Sequence, residues 1–350
     1  MVGAAGGAAR PNDVSSIGHR RGRYTACVSV SPPNKGDRHH VEPEDRKPVT
    51  LRTLRSMAGR GVPFACLTAY DATTARWLER GGVHVLLVGD SAAQMVLGFE
   101  RTTDMPLDLA IALTAAVKRG APRTLIMADM PFASYHESDE QAVRNAARFM
   151  TEGLADVVKI EADASFAPTV ERLTRAGIPI CGHVGCRPQT VAVSGGYRIA
   201  GKTAEDARRV VADAVALERA GAVLLLVEAV PSEVTEAIMA ATSVPLIGIG
   251  AGTACHGQVL VIQDLLGMTD SPPRFAEAVV QLGLATRDAA STWVRRVSER
   301  NIGGRRYVMD EGEAERLGIQ SRPTTESGGE PSAREPMSRP TPTDEARRDE

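Results

Sequence analysis

The feature that most constrains this chain is a regular alternation of short, mainly apolar runs with longer amphipathic stretches. Seven apolar runs are predicted as strands, at residues 64–68, 83–89, 124–128, 157–160, 179–183, 223–227 and 245–249. Six amphipathic stretches are predicted as helices, at residues 72–80, 107–119, 139–152, 166–176, 204–220 and 232–241. Parallel strands need crossover helices, and strands covered on both faces are apolar throughout, so the pattern predicts an α/β fold with a parallel sheet.

Such units are compatible with a closed (β/α)8 TIM barrel or with a large doubly wound sheet. We expect the barrel, as a catalytic domain over residues 47–305 of the 350. Its eighth strand could come from residues 259–262 or from a short piece near Arg274 and Phe275. A long helix over residues 276–297 is predicted to close the ordered region.

The two ends of the chain differ in composition from the middle. Residues 1–46 are rich in Gly, Ala, Pro, Ser and Arg, so we predict a disordered N-terminal extension. Residues 306–350 are rich in Pro, Ser, Thr and charged groups and are predicted to be a mostly disordered tail. The basic N-terminal arm resembles an organellar transit peptide, but we prefer a bacterial extension or an early start codon as its explanation.

Composition narrows the partners that this chain can have. The formal net charge is −2 and no apolar run approaches the roughly 18 residues of a membrane span, so we expect neither nucleic acid nor membrane as a partner. The five cysteines are scattered and odd in number, which argues against a disulfide framework and favours a reducing compartment. We therefore expect a cytoplasmic protein, with organellar targeting by the arm left open.

Polar side chains mark the C-terminal ends of five predicted strands. They are Asp90 with Ser91, Asp129, Lys159 with Glu161, His183, and Glu228. In a parallel barrel these ends share one face, where the active site lies. Each has a structural explanation alone, such as a turn for an aspartate or Glu161 as the ion-pair partner of a buried Lys159. Their coincidence on five strands favours a functional site.

Asp90, Asp129 and Glu161 are hard oxygen ligands, which suit Mg²⁺ or Mn²⁺ better than zinc or copper. Lys159 and His183 beside them would favour an anionic substrate. The glycine-rich segment at 248–252 lacks the spacing of a phosphate-binding or dinucleotide-binding loop. The residues therefore predict a metal site that takes a small anionic molecule.

The chain resembles the ketopantoate hydroxymethyltransferase family over about residues 50–300. The stretches that carry the resemblance are LTAYDATTA (67–75), LLVGDS (86–91), ADMPFASY (128–135), VKIE (158–161), CGHVG (181–185), PQTV (188–191), GGYR (195–198), LLVEAVP (225–231), IGIGAG (247–252) and GQVLVIQDLLG (257–267). The resemblance implies a barrel of the phosphoenolpyruvate/pyruvate type in a homo-oligomer, commonly a decamer. It also implies transfer of a hydroxymethyl group from 5,10-methylenetetrahydrofolate to 3-methyl-2-oxobutanoate, giving 2-dehydropantoate in pantothenate biosynthesis through a Mg-stabilised enolate.

The resemblance assigns roles to the residues at the strand ends. The implied ligands of one Mg²⁺ per subunit are Asp90, Asp129 and Glu161. The implied contacts of the keto acid are Asp90, Ser91, Asp129 and Lys159. Glu228 is implied as the proton acceptor, and we expect His183 to join Lys159 in balancing charge on the enolate and the substrate carboxylate.

The chain departs from the family pattern beside the expected site. The departures are Ala92, Ala93 and Gln94 after GDS, Leu113 in the next helix, Ala162 and Asp163 after KIE, and His256 before the last strand. These departures are also compatible with a paralogue of the family that acts on a related 2-oxo acid. A Mg-dependent C–C lyase or mutase of the same superfamily is the main alternative, although the KKCGH-like loop of the lyases is missing. A non-enzymatic barrel is disfavoured because every expected carboxylate is retained.

Overall fold

A computed structural model describes residues 46–304 and 307–319. The predicted extension 1–46 lies outside the described residues except for Arg46, whose guanidinium donates to the backbone oxygens of Glu79 at 2.8 Å and Val83 at 2.6 Å. Residues 306 and 320–350 of the predicted tail also lie outside the described part. Disorder at the two ends therefore stays a prediction.

The eight parallel strands close into a barrel in sequence order, so the doubly wound alternative is wrong. The strands are β1 (Phe64–Thr68), β2 (Val85–Val88), β3 (Leu125–Asp129), β4 (Val157–Glu161), β5 (Ile180–Gly185), β6 (Leu224–Glu228), β7 (Leu246–Ile249) and β8 (Gly257–Leu260). The barrel closes because Cys66 of β1 lies opposite Val85 on one side and Val259 on the other. β8 overlaps the candidate at 259–262, whereas residues 274–275 lie in no strand.

The described residues contain twelve α-helices, several of them between the strands. They are α1 (Leu51–Gly59), α2 (Ala72–Arg80), α3 (Ala92–Met95), α4 (Leu107–Gly120), α5 (Asp139–Thr151), α6 (Ala167–Arg175), α7 (Val191–Ser194), α8 (Ala204–Arg219), α9 (Ser232–Ala241), α10 (Ile262–Leu265), α11 (Leu282–Ser298) and α12 (Glu313–Arg316). Side-chain caps begin several crossover helices. Asp71 Oδ1 accepts from the Thr73 N–H at 2.8 Å, Ser138 Oγ from the Gln141 N–H at 3.1 Å, and Thr203 Oγ1 from the Asp206 N–H at 3.2 Å. All six helices predicted from amphipathic stretches are present.

The long helix predicted over residues 276–297 begins later than expected, at Leu282. The Val279 N–H donates to the Leu265 backbone oxygen at 2.9 Å, and the Leu282 N–H donates to that of Leu266 at 2.8 Å. These hydrogen bonds tie the preceding segment to the end of α10, so it cannot also form a helical ladder. The predicted start was therefore wrong, because a local pattern does not show this tertiary pairing.

Helix α1 contributes to the apolar core inside the barrel. Its buried Leu54 and Met57 belong to one cluster with the inward-facing strand residues Cys66, Leu125 and Ile247. A larger apolar cluster lies between the sheet and helices α5, α6, α8 and α9. Because α1 packs where the strands begin, the opposite end, where the strands finish, is left for a cavity.

The chain divides into two compact units after Leu284. The first unit contains the whole barrel, and the second contains α11 from Ala285 onward and α12. Within residues 46–304 and 307–319, no helix has both the length and the apolar character needed to cross a membrane. The cysteines of this part are buried free thiols, namely Cys66, Cys181, Cys186 and Cys255.

Candidate active site

A cavity of about 520 Å³ opens at the C-terminal ends of the strands. The side chains that line it include Asp90, Ser91, Asp129, Lys159, Glu161, His183 and Glu228. Strand register places several of them side by side, with Asp129 opposite Lys159 and Glu161 opposite His183. The structure therefore places in one cavity all the polar side chains that were predicted at the strand ends.

Lys159 lies buried at the centre of these groups. Its Nζ is 2.8 Å from Asp129 Oδ1 and 3.3 Å from His183 Nδ1. Burial disfavours the charge of Lys159, but the carboxylates of Asp129, Glu161 and Asp90 outweigh burial and raise its pKa above the ordinary value. Its ion-pair partner is Asp129 rather than Glu161.

Gln189, in the 3₁₀ turn after β5, holds two of the carboxylates in place. Its Nε2 donates to Asp90 Oδ2 and to the Met130 backbone oxygen, both at 3.0 Å, and its backbone N–H donates to Glu161 Oε2 at 2.9 Å. The Tyr135 hydroxyl donates to Gln189 Oε1 at 2.8 Å, which turns the amide NH₂ toward Asp90. Each carboxylate thus has one oxygen held by Gln189, while its second oxygen accepts no hydrogen bond from that residue.

His183 and Glu228 face each other across β5 and β6, with Nε2 and Oε2 3.4 Å apart. The pKa of His183 is well below its ordinary value, mainly because the ring is buried and secondly because Lys159 is positively charged. The ring is therefore neutral. Because Lys159 occupies Nδ1, the ring proton belongs on Nε2, on the side of Glu228. Burial raises the pKa of Glu228 to about 7, although Lys159 opposes this shift.

Ser91 precedes α3, and its hydroxyl oxygen is 2.8 Å from that of Tyr70. Burial raises the pKa of Tyr70 to about 12, so the phenol stays protonated at neutral pH. A protonated Tyr70 can donate to Ser91, which leaves the serine proton for a ligand oxygen.

The acidic cluster carries more negative charge than the described side chains balance. Asp90, Asp129 and Glu161 are buried around one ammonium group, and burial raises the pKa of Asp129 and of Glu161 above ordinary values. Glu161 Oε1 is buried and receives no hydrogen bond from any described residue. A divalent cation would neutralise this excess charge.

The donor set fits Mg²⁺ by its chemistry. Among the described residues, no group of three or more His, Cys, Asp or Glu side chains is placed to hold a metal ion by itself. Mg²⁺ usually takes one or two protein carboxylates and completes its octahedron with waters and ligand oxygens. Asp90, Asp129 and Glu161 are therefore suited to a cation that shares its coordination shell with a substrate.

The departures from the family pattern are spread over both ends of the barrel. Gln94 lines the cavity, and Asp163 pairs at 2.8 Å with Arg187 on the loop after β5. His256 lies before β8, where its Nδ1 accepts from the Leu246 N–H at 3.0 Å at the opposite end of the barrel. Of these residues, only Gln94 is placed to contact a ligand in the cavity.

Sequence reasoning missed Gln189, Tyr135 and Asp264, which contribute to the site or its walls. All three lie in stretches that carry the family resemblance. They lie in loops, short turns or the short helix α10, so the alternation of apolar and amphipathic segments gives no sign of where they point. The signal in the sequence that could have identified them is that each is a polar residue inside a stretch that matches the family.

Two solved structures share this fold. Phosphonopyruvate hydrolase in complex with oxalate and Mg²⁺ gives a TM-score of 0.51 at 12% identity, over 77% of this chain and 94% of the other. Phosphoenolpyruvate phosphomutase from Streptomyces platensis subsp. rosaceus gives a TM-score of 0.51 at 11% identity. The match covers 72% of this chain and 89% of the other. At these identities the likeness shows the barrel fold alone.

Closer similarity is found in sequence. The 3-methyl-2-oxobutanoate hydroxymethyltransferase of Halorhodospira halophila is 45% identical over 264 residues, which cover 75% of this chain and 94% of the relative. The enzyme of the same name from Heliobacterium modesticaldum is 44% identical, over 72% of this chain and 92% of its own length. The one from Methylococcus capsulatus is 45% identical, over 74% of this chain and 96% of its own length. The family model for ketopantoate hydroxymethyltransferase matches residues 48–304.

Fold and site together define a (β/α)8-barrel enzyme with an acidic cluster at its strand ends. The chain belongs to the ketopantoate hydroxymethyltransferase family and is a hydroxymethyltransferase. The family prediction made from the motifs is confirmed.

Proposed function

We propose that this enzyme moves the one-carbon unit of 5,10-methylenetetrahydrofolate onto 3-methyl-2-oxobutanoate, giving 2-dehydropantoate for pantothenate biosynthesis. The names of its relatives support the acceptor. The observation that carries the proposal is Glu228, with a pKa raised to about 7, in the same cavity as three carboxylates and a lysine. Such a cavity suits binding of an anionic 2-oxo acid and removal of a proton beside its carbonyl group.

Asp90, Asp129 and Glu161 are the residues that would hold one Mg²⁺ in each subunit. When bound, the cation supplies Lewis-acid chemistry for the carboxylate and keto oxygens of a 2-oxo acid. The Lys159 ammonium, held by Asp129 at 2.8 Å, supplies a further positive charge beside the substrate. Ser91 offers a hydroxyl proton to a substrate oxygen.

Glu228 is the proposed base. It takes the proton from C3 of the keto acid, which leaves an enolate whose negative charge Lys159 helps to balance. The neutral ring of His183 faces Glu228, with Nε2 3.4 Å from Oε2. Because the pKa of Glu228 is raised to about 7, the group is basic enough to accept the proton at neutral pH.

The second half of the reaction forms a carbon–carbon bond. The enolate carbon bonds to the methylene carbon of the donor, and both bonds from that carbon to the folate nitrogens break. One water is consumed, its oxygen becomes the new hydroxyl group, and tetrahydrofolate leaves with both nitrogens protonated. The keto acid and the donor must therefore occupy the cavity together.

A turnover assay tests this proposal. The full chain is incubated with 3-methyl-2-oxobutanoate or another branched 2-oxo acid, with and without the folate donor and Mg²⁺, and products are identified by mass spectrometry. We expect 2-dehydropantoate only when keto acid, donor and Mg²⁺ are all present. Cleavage of a 2-oxo acid without folate would contradict the proposal and favour the lyase or mutase alternative.

A further inference from the structure

The cavity has a second wall that the proposed chemistry of the keto acid does not use. Strands β7 and β8 and the chain that follows them contribute Ile249, Val259, Val261, Asp264, Thr269 and Phe275 to its lining. The acidic cluster and Lys159 come from β2, β3 and β4. A cavity of about 520 Å³ lies within the 300–1,000 Å³ typical of sites for larger ligands, so it has room beyond a five-carbon keto acid.

Asp264 is the main polar feature of this wall. The side chain is buried, with 6% of the residue exposed, yet it lines the cavity and accepts no hydrogen bond from any residue that the structure describes. A buried carboxylate without donors costs free energy, which a ligand bearing N–H groups would recover. Thr269 also lines this wall, and its Oγ1 is buried without a partner among the described residues, so a turn of its side chain toward the cavity would bring that hydroxyl to a ligand.

The position of Asp264 is fixed by its neighbours along the chain. The Ile262 N–H donates to Thr68 Oγ1 at 2.9 Å, which ties the start of α10 to the end of β1. The Gly267 N–H donates to the backbone oxygen of Asp264 at 3.1 Å, which closes the turn after that helix. Asp264 therefore belongs to a preformed wall of the cavity.

This wall adjoins the reacting centre. The hydroxyl oxygen of Tyr70 is 2.8 Å from that of Ser91. The negative charges of Asp90 and Asp264 both contribute to the raised pKa of Tyr70, after burial, so both carboxylates lie near this tyrosine. A ligand held by Asp264 would thus lie next to a keto acid held by the acidic cluster. That adjacency is what a reaction between two substrates requires.

Phe275 gives the wall an aromatic surface. Its ring rests against Gly250, where an added Cβ would lie 2.6 Å from ring atom Cδ1, so only glycine allows this packing. The residue is 43% exposed and lines the cavity. A supported aromatic ring is suited to stacking on a planar ligand.

We propose that Asp264, Thr269 and Phe275 form the subsite for the planar heterocycle of the one-carbon donor. The Asp264 carboxylate accepts two adjacent N–H groups, those of the ring nitrogen and exocyclic amine of a pterin, in the bidentate geometry that carboxylates favour. The Thr269 hydroxyl adds a polar contact, and Phe275 stacks on the ring. The inference rests on the proposed function in that the donor is a reduced folate.

The chemistry of this wall separates the two substrates. A 2-oxo acid is an anion without N–H donors, so Asp264 would repel it. The pyrimidinone ring of a reduced folate is neutral and presents the donors that Asp264 lacks. The wall therefore distinguishes the donor from the acceptor by charge and hydrogen bonding.

Substitution of Asp264 by Asn tests the subsite, with Asp270→Asn as the matched control because Asp270 is exposed on the same segment. The first readout is binding of 5-formyltetrahydrofolate by calorimetry, with p-aminobenzoylglutamate, which lacks the heterocycle, as a competitor. The second is Mg²⁺-dependent exchange of the C3 proton of 3-methyl-2-oxobutanoate in D₂O without donor. Thr269→Val provides a milder variant if Asp264→Asn fails to fold.

We expect Asp264→Asn to weaken folate binding by about tenfold or more, the loss typical of hydrogen bonds to a charged group, while C3 exchange stays within about twofold of wild type. Thr269→Val should show a smaller loss, Asp270→Asn none, and p-aminobenzoylglutamate should not compete. Unchanged folate binding in Asp264→Asn would overturn the subsite. Absence of exchange in the wild type would instead contradict the proposed function, and the folate binding comparison would still decide the subsite.

Discussion

At the residue scale, Glu228 shows how its neighbours make an ordinary carboxyl group useful as a base. Burial raises its pKa to about 7, and the nearby charges of Asp90 and Asp129 add to the shift, while Lys159 limits it. The position of Glu228 at a strand end could be predicted from the sequence. Its altered pKa could not, because the groups responsible come from three other strands.

This pKa predicts the pH dependence of proton abstraction. Glu228 accepts a proton only as the carboxylate, so the rate of C3 exchange should rise with pH and level off above about 7. Below that midpoint we expect about a tenfold loss for each pH unit. The measurement is the exchange rate at saturating Mg²⁺ between about pH 3.5 and 9. The charge of the cation should bring the midpoint somewhat below that of the metal-free site, and a midpoint as low as the ordinary glutamate value of about 4.3 would contradict the prediction.

At the scale of elements, the 3₁₀ turn after β5 organises the ends of three neighbouring strands. Gln189 in this turn contacts Asp90, Met130 and Glu161 at once. The strands and crossover helices could be predicted from apolar runs and amphipathic stretches, since those patterns are local. The role of Gln189, like the late start of α11, depends on hydrogen bonds between segments distant in sequence.

Replacement of Gln189 by Met should weaken Mg²⁺ binding. The variant keeps a side chain of similar length but removes the donors that orient Asp90 Oδ2, and loss of such outer contacts typically lowers metal affinity by about 10–100-fold. Calorimetric titration with Mg²⁺ checks this, and Gln141→Met, on the surface of α5, serves as the control. Equal Mg²⁺ affinity in Gln189→Met and wild type would show that the contact does not position the metal ligands.

At the scale of the whole barrel, packing and chemistry occupy opposite ends. Leu54 and Met57 of α1 join the interior cluster where the strands begin, and the cavity lies where they finish. The alternation of segments favoured a closed barrel but did not exclude an open sheet, because it identified only seven strands clearly. The eighth, β8, is short and has a partly exposed pattern, so its apolar run alone did not identify it.

Leu54→Ala should therefore reduce stability and leave the kinetic constants nearly unchanged. Leu54 is fully buried, and deletion of a buried leucine side chain typically costs about 2–5 kcal/mol. Urea unfolding measures the loss, with the exposed Arg55→Ala as the control. A large change in the KM for the keto acid, measured on folded protein, would mean that the two ends of the barrel are coupled.

The central claim is that Glu228 abstracts the C3 proton of a 2-oxo acid held by the acidic cluster. The most direct test is NMR measurement of C3 deuterium exchange in 3-methyl-2-oxobutanoate, with Mg²⁺ and without folate, for wild type, Glu228→Gln and the exposed control Glu233→Gln. We predict exchange in wild type and Glu233→Gln, and a loss of about 10²–10⁴-fold in Glu228→Gln, the usual contribution of a general base. Exchange at the wild-type rate in Glu228→Gln would contradict the account.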